Sequence, residues 1–404
     1  MDTISYYSNL IVNYIKLTYK NNFREPKEPT FGFPYIVPGS KYSEQLWDWD
    51  SWLTGLALLN IDDVNSKEYQ IGCVLNFLDH IDEYGRIPIL IEKNTPLPFH
   101  FPSNYQSNIH KPCLAQHALA IVEKYNDITW LERKFDKLLK FISFYENHQK
   151  DDESGLYFWL DDLAIGFDND PTVFYRPNKS TGAIYLNSLM YSELLAISTL
   201  AKKLGKDEIS KLYKDKANKL KIAIQNECFD NKDGYFYSVD LSLKKIDPNS
   251  PIHKGQPRFW HSLPIKITTW AGLLPLWNKI ATKEQAEKCV KHIQEKDSLF
   301  CKNGIRSIAK YEKMYGIYKT GNPSCWIGPV WINACYFAYV GLKNYGYNEL
   351  AKKIAESVIC LLGKDLEKNG EFHEYYNPET GEGVNNKGFQ SWNFLVWFLI
   401  KEIN

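Results

Sequence analysis

The sequence predicts an all-α domain in which paired helices close into a toroid, with long loops crowding one end. Apolar residues recur at helical spacing along most of the chain, for example in residues 130–147 and 207–226. The segments between the helical stretches are long, and loops of this length in a compact domain are usually functional or disordered. Their many aromatic residues argue against disorder. Since no linker or break in composition divides the chain, residues 1–404 are predicted to form a single domain.

The individual elements follow from periodicity and from helix-end signals. Helices are predicted near residues 8–20, 50–61, 66–80, 113–125, 130–147, 181–204, 207–226, 268–278, 283–295, 330–345, 347–362 and 388–402. Gly205 and Gly346 each follow a helix with Lys in its last turns, which is typical of a C-terminal cap. Residues 229–240 are aromatic around the pair Asp233-Gly234, a turn signal that predicts a short β-hairpin.

Composition narrows the classes of function. The chain has 48 Lys+Arg and 48 Asp+Glu, and this zero formal charge argues against sequence-independent binding of nucleic acid. No stretch approaches the roughly 18 apolar residues of a membrane span, and residues 1–7 lack the features of a secretory signal. The eight cysteines are scattered without a CxxC pair or metal-ligand spacing, which favours reduced thiols in a cytoplasmic protein. No pattern indicates an oligomeric state.

The aromatic residues are the informative excess, with 12 Trp, 27 Tyr and 21 Phe. Trp and Tyr offer flat apolar faces with a polar edge, which suits protein cores and also sugar rings. Four aromatic or acidic clusters lie in loops or at loop–helix junctions, where functional groups concentrate. They cover residues 46–52, 164–171, 323–333 and 371–383.

Two of these clusters are rich in tryptophan. Their notable members are Trp47, Trp49, Asp50, Trp326, Gly328 and Trp331. The first is explained equally well as a helix start with an acidic N-cap and tryptophans in the core. In the second, Pro329 suits the first helical position, but the two tryptophans exceed what a helix start requires and either wall a pocket or simply pack. The alternative is that the indole faces wall a sugar-binding pocket and that Asp50 binds sugar hydroxyls.

The other two clusters each hold a carboxyl group of interest. Asp168 follows an apolar residue, and burial there would raise its pKa and keep it protonated near neutral pH. Glu374 precedes two tyrosines that could orient it. A plain turn explains the first cluster as well, and a solvent-exposed side chain explains the second. Asp170 and Glu371 are the close alternatives for the two carboxyl groups.

Two separated carboxyl groups between tryptophan walls are what hydrolysis of a glycosidic bond requires. One acid protonates the leaving oxygen, and one carboxylate attacks or activates water. The sequence contains no GxGxxG, Walker A, HExxH or GxSxG motif and no calcium-loop pattern. We therefore expect a small carbohydrate as partner and neither a metal nor an organic cofactor.

In this order, the clusters resemble the clan of (α/α)6-barrel glycosidases that contains trehalases and glycoside hydrolase family 63, which includes processing α-glucosidase and the mannosylglycerate and glucosylglycerate hydrolases. The matching segments are residues 47–51, 166–169, 326–331, 374–378 and 389–392. The resemblance implies a six-hairpin barrel that cleaves a small α-glycoside with inversion, with Asp168 as general acid and Glu374 as general base. The substrate-binding residues that it implies are Trp47, Trp49, Asp50, Trp326, Gly328, Trp331, Gln390 and Trp392. Inversion predicts roughly 6.5–9.5 Å between the carboxyl groups.

The chain departs from the family pattern at three positions. Ile327 stands where Arg is usual, Lys111 stands near an expected Gln, and Lys41 replaces Arg in a trehalase-like segment. The imperfect trehalase-like segment, together with the absence of a trehalase-type Gln-Trp-Asp segment, favours the family 63 side over a trehalase-type hydrolase, which is the alternative within the clan. A non-catalytic sugar-binding α-barrel is the alternative of another class. A lyase or epimerase with His373 or Tyr375 as base is a third possibility.

Overall fold

Helices dominate the computed structural model, which describes residues 2–100, 109–160, 165–174, 176–243, 249, 251, 260–317 and 323–403. The α-helices in these ranges are α1 (Thr3–Thr18), α2 (Asp48–Leu58), α3 (Lys67–Asp79), α4 (Leu114–Tyr125), α5 (Phe135–His148), α6 (Ile184–Lys203), α7 (Asp207–Ala223), α8 (Leu274–Trp277), α9 (Lys283–Ile293), α10 (Ile332–Asn344), α11 (Asn348–Asn369) and α12 (Val396–Ile403). The predicted all-α class is confirmed. None of the helices in the described ranges is both long and apolar enough to cross a bilayer.

The strands are short and antiparallel, and each has two residues. They are β1 (Phe23–Arg24), β2 (Tyr35–Ile36), β3 (Leu46–Trp47), β4 (Leu90–Ile91), β5 (Thr181–Gly182), β6 (Phe229–Asp230), β7 (Tyr235–Phe236), β8 (Val239–Asp240), β9 (Leu263–Pro264), β10 (Phe300–Cys301) and β11 (Gly304–Ile305). Strand β6 pairs with β7 so that Phe229 faces Phe236, and Gly234 turns the chain with φ +73°. This confirms the predicted hairpin.

The helices divide into largely buried ones and surface ones, as a barrel with an inner and an outer ring of helices requires. Most residues of α2, α6 and α10 are buried, whereas α7 buries only Tyr213, Ala217 and Leu220. A helix that is apolar all round lies inside a fold, and an amphipathic one covers its surface. Buried α6 packs on amphipathic α7, and α10 packs on α11. The buried helices α2, α6 and α10 are the inner helices, and the loops before them can therefore meet at one end of the barrel.

Glycines explain where two helices end. Gly205 and Gly346 have positive φ just after α6 and α10, as predicted for C-terminal caps. The predicted end of α11 at residue 362 is wrong, because Gly363 lies inside the helix. A Cβ on Gly363 would lie 2.3 Å from the Tyr7 ring, so this glycine allows α1 and α11 to approach closely. The helix ends instead at Gly370, which has φ +77°.

Two predicted helices begin as tighter turns. The region predicted near 268–278 is a 3₁₀ turn, Trp270–Leu273, followed by the single turn α8, and the region near 388–402 is a 3₁₀ turn, Ser391–Leu395, before α12. Gly272 lies against Tyr235, where a Cβ would meet the ring at 2.3 Å. This contact joins residues distant in sequence, so the spacing of apolar residues along the chain does not predict the 3₁₀ turn.

Candidate active site

One cavity collects side chains from all four sequence clusters. Its volume is about 340 Å³. It is lined by Pro38, Tyr42, Trp47, Trp49, Asp50, Ile89, Lys111, Gly166, Asp168, Phe174, Ser324, Trp326, Glu374, Phe389 and Trp392. Asp168 and Glu374, which lie far apart in the sequence, thus line the same cavity.

The start of α2 forms one wall. Strand β3 pairs with β4, and the Asp48 amide then donates to the carbonyl of Ile89 at 3.0 Å, which sets where the helix begins. Asp50 is buried and accepts a hydrogen bond of 2.8 Å from the Ser391 hydroxyl. Burial raises the pKa of Asp50 to about 7, and the nearby Asp48 charge adds to this shift. Asp50 therefore lies beside the cavity as a carboxyl group that titrates near neutral pH.

A fully buried ion pair lies behind this wall. The Lys111 ammonium is 2.9 and 3.0 Å from the two carboxylate oxygens of Asp48, and neither side chain is exposed. The ammonium also lies 5.2 Å from the centre of the Trp49 ring. Gly166 makes room for it, because a Cβ there would lie 2.3 Å from Lys111 Cε. The residue that departs from the family pattern thus connects α2 to the loop that carries Asp168.

Replacing Lys111 with methionine is expected to lower the free energy of unfolding by about 3–5 kcal/mol, because Asp48 would remain buried and unpaired. Urea denaturation at pH 7 measures the change. The matched control is Lys291→Met, which removes an exposed ion pair of the same length, 2.9 Å to Glu287, and should cost roughly 0–1 kcal/mol. The double variant Asp48→Asn/Lys111→Met should recover much of the loss. A Lys111→Met variant as stable as the control would contradict the prediction.

The loop that carries Asp168 is fixed by its neighbours. Phe167 is fully buried and its ring centre lies 5.2 Å from that of Trp326. The Asn169 side-chain oxygen accepts a 2.7 Å hydrogen bond from the Trp326 amide. Asp170 accepts hydrogen bonds from the amide and hydroxyl of Thr172 and does not line the cavity. Of the two predicted candidates, Asp168 is the one that the structure places in the cavity.

Glu374 is also held by a loop. It is 3% exposed, and its Oε2 accepts a 3.0 Å hydrogen bond from the Asn385 amide. Burial and, to a lesser extent, the nearby Asp50 carboxyl group raise the pKa of Glu374 to about 8, against the opposing effect of Lys41. The alternative, Glu371, is exposed and does not line the cavity.

The predicted role of the tyrosines is wrong. Tyr375 donates to the Pro323 carbonyl at 2.6 Å, and Tyr376 donates to Asp365 at 2.8 Å, so neither hydroxyl orients Glu374. Asn385 makes that contact instead, and the sequence analysis missed it because nothing in the pattern marks it. His373 lies 3.0 Å from Asp365 and, like Tyr375, does not line the cavity. The geometry therefore gives no support to a lyase or epimerase that uses these residues.

Four of the predicted tryptophans, Trp47, Trp49, Trp326 and Trp392, line the cavity. The indole nitrogens of Trp326 and Trp392 are buried and have no hydrogen-bond partner in the described ranges.

Three predicted contacts require correction, since the structure does not place these residues in the cavity lining. Trp331 stacks on Trp326 with ring centres 3.8 Å apart and donates to the Cys325 carbonyl. The Gly328 amide donates to the Ser307 hydroxyl, and Gln390 donates to the Tyr14 hydroxyl at 3.4 Å. Trp331 therefore supports Trp326 from behind, and none of the three residues lines the cavity. Tyr42, Phe174, Ser324 and Phe389 also line it, and none of them is among the predicted substrate-binding residues.

The described lining is rich in carboxyl groups. Asp50, Asp168 and Glu374 face the cavity, and its one cation in the described ranges, Lys111, is paired with Asp48. No cluster of three or more His, Cys, Asp or Glu side chains that could hold a metal ion occurs in the part of the chain described.

Comparison with known proteins assigns the chain to a family. A family model described as the mannosylglycerate hydrolase MGH1-like glycoside hydrolase domain matches residues 43–393. The chain belongs to this glycoside hydrolase family. The predicted family 63 and trehalase-like resemblance is thereby confirmed.

Solved structures of this family and of trehalases share the fold. A family 63 mannosylglycerate hydrolase from Thermus thermophilus, in complex with Tris and D-glycerate, superposes with a TM-score of 0.68 at 17% identity. The alignment covers 97% of this chain and 99% of that one. The neutral trehalase of Saccharomyces cerevisiae gives a TM-score of 0.65 at 20% identity over 97% of this chain and 80% of that one. The predicted (α/α)6 barrel is confirmed.

The curated relatives are longer proteins. A probable trehalase from Eremothecium gossypii is 24% identical over 415 residues, which cover 87% of this chain and 53% of that protein. A mannosyl-oligosaccharide glucosidase from Arabidopsis thaliana is 22% identical over 436 residues, which cover 93% of this chain and 49% of that protein. The chain thus spans about half the length of these relatives.

Proposed function

We propose that the protein is an inverting glycoside hydrolase that cleaves a small α-glycoside. The observation that carries the proposal is that Asp168 and Glu374 line one cavity of about 340 Å³ walled by tryptophan. That volume lies at the small end of the range for ligand sites, which suits a disaccharide or a sugar–glycerate better than a long chain.

In the proposed reaction the two carboxyl groups act on opposite faces of the sugar ring. Asp168 donates its proton to the glycosidic oxygen as the bond to the anomeric carbon breaks. Glu374 takes a proton from a water molecule whose oxygen bonds to that carbon from the other face. Asp168 ends ionised and Glu374 protonated, and proton exchange with solvent restores both. Asp50 would bind sugar hydroxyls, and Trp47, Trp49, Trp326 and Trp392 would wall the pocket.

The first formed anomer tests the mechanism directly. Purified protein is incubated with trehalose and with α-glucosides and α-mannosides, including their glycerate conjugates, and the sugar is followed by proton NMR. We expect a β-configured sugar to appear first. An α-configured first product would indicate retention and would overturn inversion. Binding without release of sugar from any of these compounds would favour the non-catalytic sugar-binding barrel.

The pH profile should report the environment of Glu374. A general base must be ionised, and burial raises the pKa of Glu374 to about 8. Activity should therefore rise with pH through the neutral to alkaline range, well above the ordinary glutamate value of about 4.3. The measurement is kcat/KM against pH. Since the Asp50 charge contributes to the shift, Asp50→Asn should move this acidic limb to lower pH. A limb near pH 4–5 in the wild type would contradict the proposal.

We also propose that the enzyme is cytoplasmic, and its cysteine thiols are compatible with that location. All eight cysteines are free, and only Cys360 is partly exposed. Burial raises the pKa of the Cys73 thiol to about 12, which leaves it unreactive. A relative at 22% identity is the cytosolic neutral trehalase of Saccharomyces cerevisiae.

A further inference from the structure

Ser391 contacts Asp50 from the far end of the sequence. The Ser391 hydroxyl donates to Oδ1 of Asp50 at 2.8 Å, and both side chains are buried. This bond joins the 3₁₀ turn before α12 to the first turn of α2. Asp50 lines the cavity and Ser391 does not. The serine can therefore influence a bound substrate only through the Asp50 carboxyl group.

The Ser391 hydroxyl does not have the usual role of a serine at a helix start. Serine in such a position commonly caps the helix by accepting a hydrogen bond from a backbone amide. No side-chain cap is formed at this turn. The hydroxyl instead receives a long contact of 3.4 Å from the Thr54 hydroxyl and donates to Asp50. Since a hydroxyl has a single proton to donate, that proton is committed to Asp50.

The backbone at Ser391 is unusual and is held by the cavity wall. Its φ is +20°, which residues with a Cβ rarely adopt. The amides of Gln390 and Ser391 both donate to the Pro38 carbonyl, at 3.1 and 3.2 Å, and Pro38 lines the cavity. Strained backbone persists where its neighbours hold it in place, and it is frequent at active sites. The direction of the Ser391 side chain is thus fixed from the cavity wall itself.

The two carboxyl oxygens of Asp50 have different surroundings. Oδ1 accepts the Ser391 hydrogen bond, whereas no side chain in the described ranges donates to Oδ2. Asp50 is 6% exposed and lines the cavity, so Oδ2 is the oxygen left for a ligand. The titratable groups that act on Asp50 or feel its charge are Tyr42, Asp48, Lys111, Cys113 and Glu374.

We propose that Ser391 is a positioning residue that acts through Asp50, holding Oδ1 so that Oδ2 accepts a hydrogen bond from a sugar hydroxyl. The inference rests on the proposed function, in which Asp50 binds the sugar. The bond has a second effect on the same group. Burial raises the pKa of Asp50 to about 7, and the Ser391 hydrogen bond opposes this shift. The ionised carboxylate that it favours is a stronger hydrogen-bond acceptor than the neutral acid.

The test compares Ser391→Ala with Ser391→Gly in the full chain. Alanine removes the hydroxyl and keeps the Cβ, whereas glycine also relieves the backbone at φ +20°. On the best substrate found among the compounds above, kcat/KM should fall about 10-fold in both variants, because a hydrogen bond to a charged group is lost. Wild-type kcat/KM in both variants would overturn the inference. A loss in only one of them would assign the effect to the backbone and would overturn it as well.

The matched control is Ser154→Ala. The Ser154 hydroxyl donates to Oδ2 of Asp151 at 2.7 Å, and Ser154 is also buried. This contact joins the same two residue types, but neither residue lines the cavity. The variant should keep the wild-type kcat/KM. A loss as large as that of Ser391→Ala would show that removing any such bond lowers activity, which would contradict a specific role of Ser391.

Failure of the proposed function looks different, because the wild type itself would then release no sugar. The contact can be read without activity by ¹³C NMR of labelled aspartate carboxyl groups, with Asp50→Asn used to assign the signal. Ser391→Ala and Ser391→Gly should raise the pKa of Asp50, and Ser154→Ala should leave it unchanged. A serine that only fills space would not move this pKa. An unchanged pKa in both Ser391 variants would overturn the inference whether or not the wild type is active.

Discussion

Replacing Glu374 with glutamine should lower kcat about 10²–10⁴-fold while leaving the protein folded. Glutamine has nearly the same shape and keeps a side-chain oxygen for the Asn385 amide, but it cannot take a proton from water. The measurement is steady-state hydrolysis of the best substrate, with KM expected to change little. The matched control is Glu371→Gln, which changes the same residue type three positions away on the exposed surface.

Two further readings separate lost chemistry from lost structure. Azide needs no deprotonation, so it should restore turnover to Glu374→Gln and give a glycosyl azide of inverted configuration. The variant should also gain stability over the wild type as pH rises from the unfolded glutamate value of about 4.3 towards 8, by up to about 1.4 kcal/mol per pH unit. The sign follows because the pKa of the folded form is raised, so ionisation opposes folding. Near-normal hydrolysis by Glu374→Gln would remove it from the mechanism.

The sequence predicts the helices well because their signal is local. Apolar spacing and capping glycines lie within a few residues of each element that they define, as at Gly205 and Gly346. The predicted end of α11 is wrong because the contact that decides it is distant in sequence. Gly363 resembles a helix stop in sequence, but its role is contact with Tyr7 at the other end of the chain.

The same distinction applies to the candidate site. The two carboxyl groups and four of the tryptophans lie in recognisable sequence motifs, and these residues do line one cavity. The residues that hold the cavity wall in place are fixed by partners distant in sequence. Lys111 pairs with Asp48 at the start of α2, and Asn169 accepts a hydrogen bond from the Trp326 amide. Trp331 shows the limit of a motif, because its stacking on Trp326 places it behind the wall that it was predicted to form. Motifs thus report which side chains are present, and tertiary contacts decide which of them face the substrate.

Replacing Asp168 with asparagine should lower kcat about 10²–10⁴-fold on substrates with a poor leaving group, because asparagine cannot protonate the glycosidic oxygen. The loss should nearly vanish on a glycosyl fluoride of the same sugar, since fluoride leaves without a proton. Comparing the two substrates therefore tests the role of Asp168, and Asp170→Asn is the matched control, because Asp170 is buried against Thr172 outside the cavity lining. If fluoride instead rescued Glu374→Gln and azide rescued Asp168→Asn, the acid and base would be exchanged. The raised pKa of Glu374 favours its protonated form at neutral pH, which is the form that a general acid needs. The two rescue experiments therefore decide which of the two carboxyl groups is the acid and which is the base.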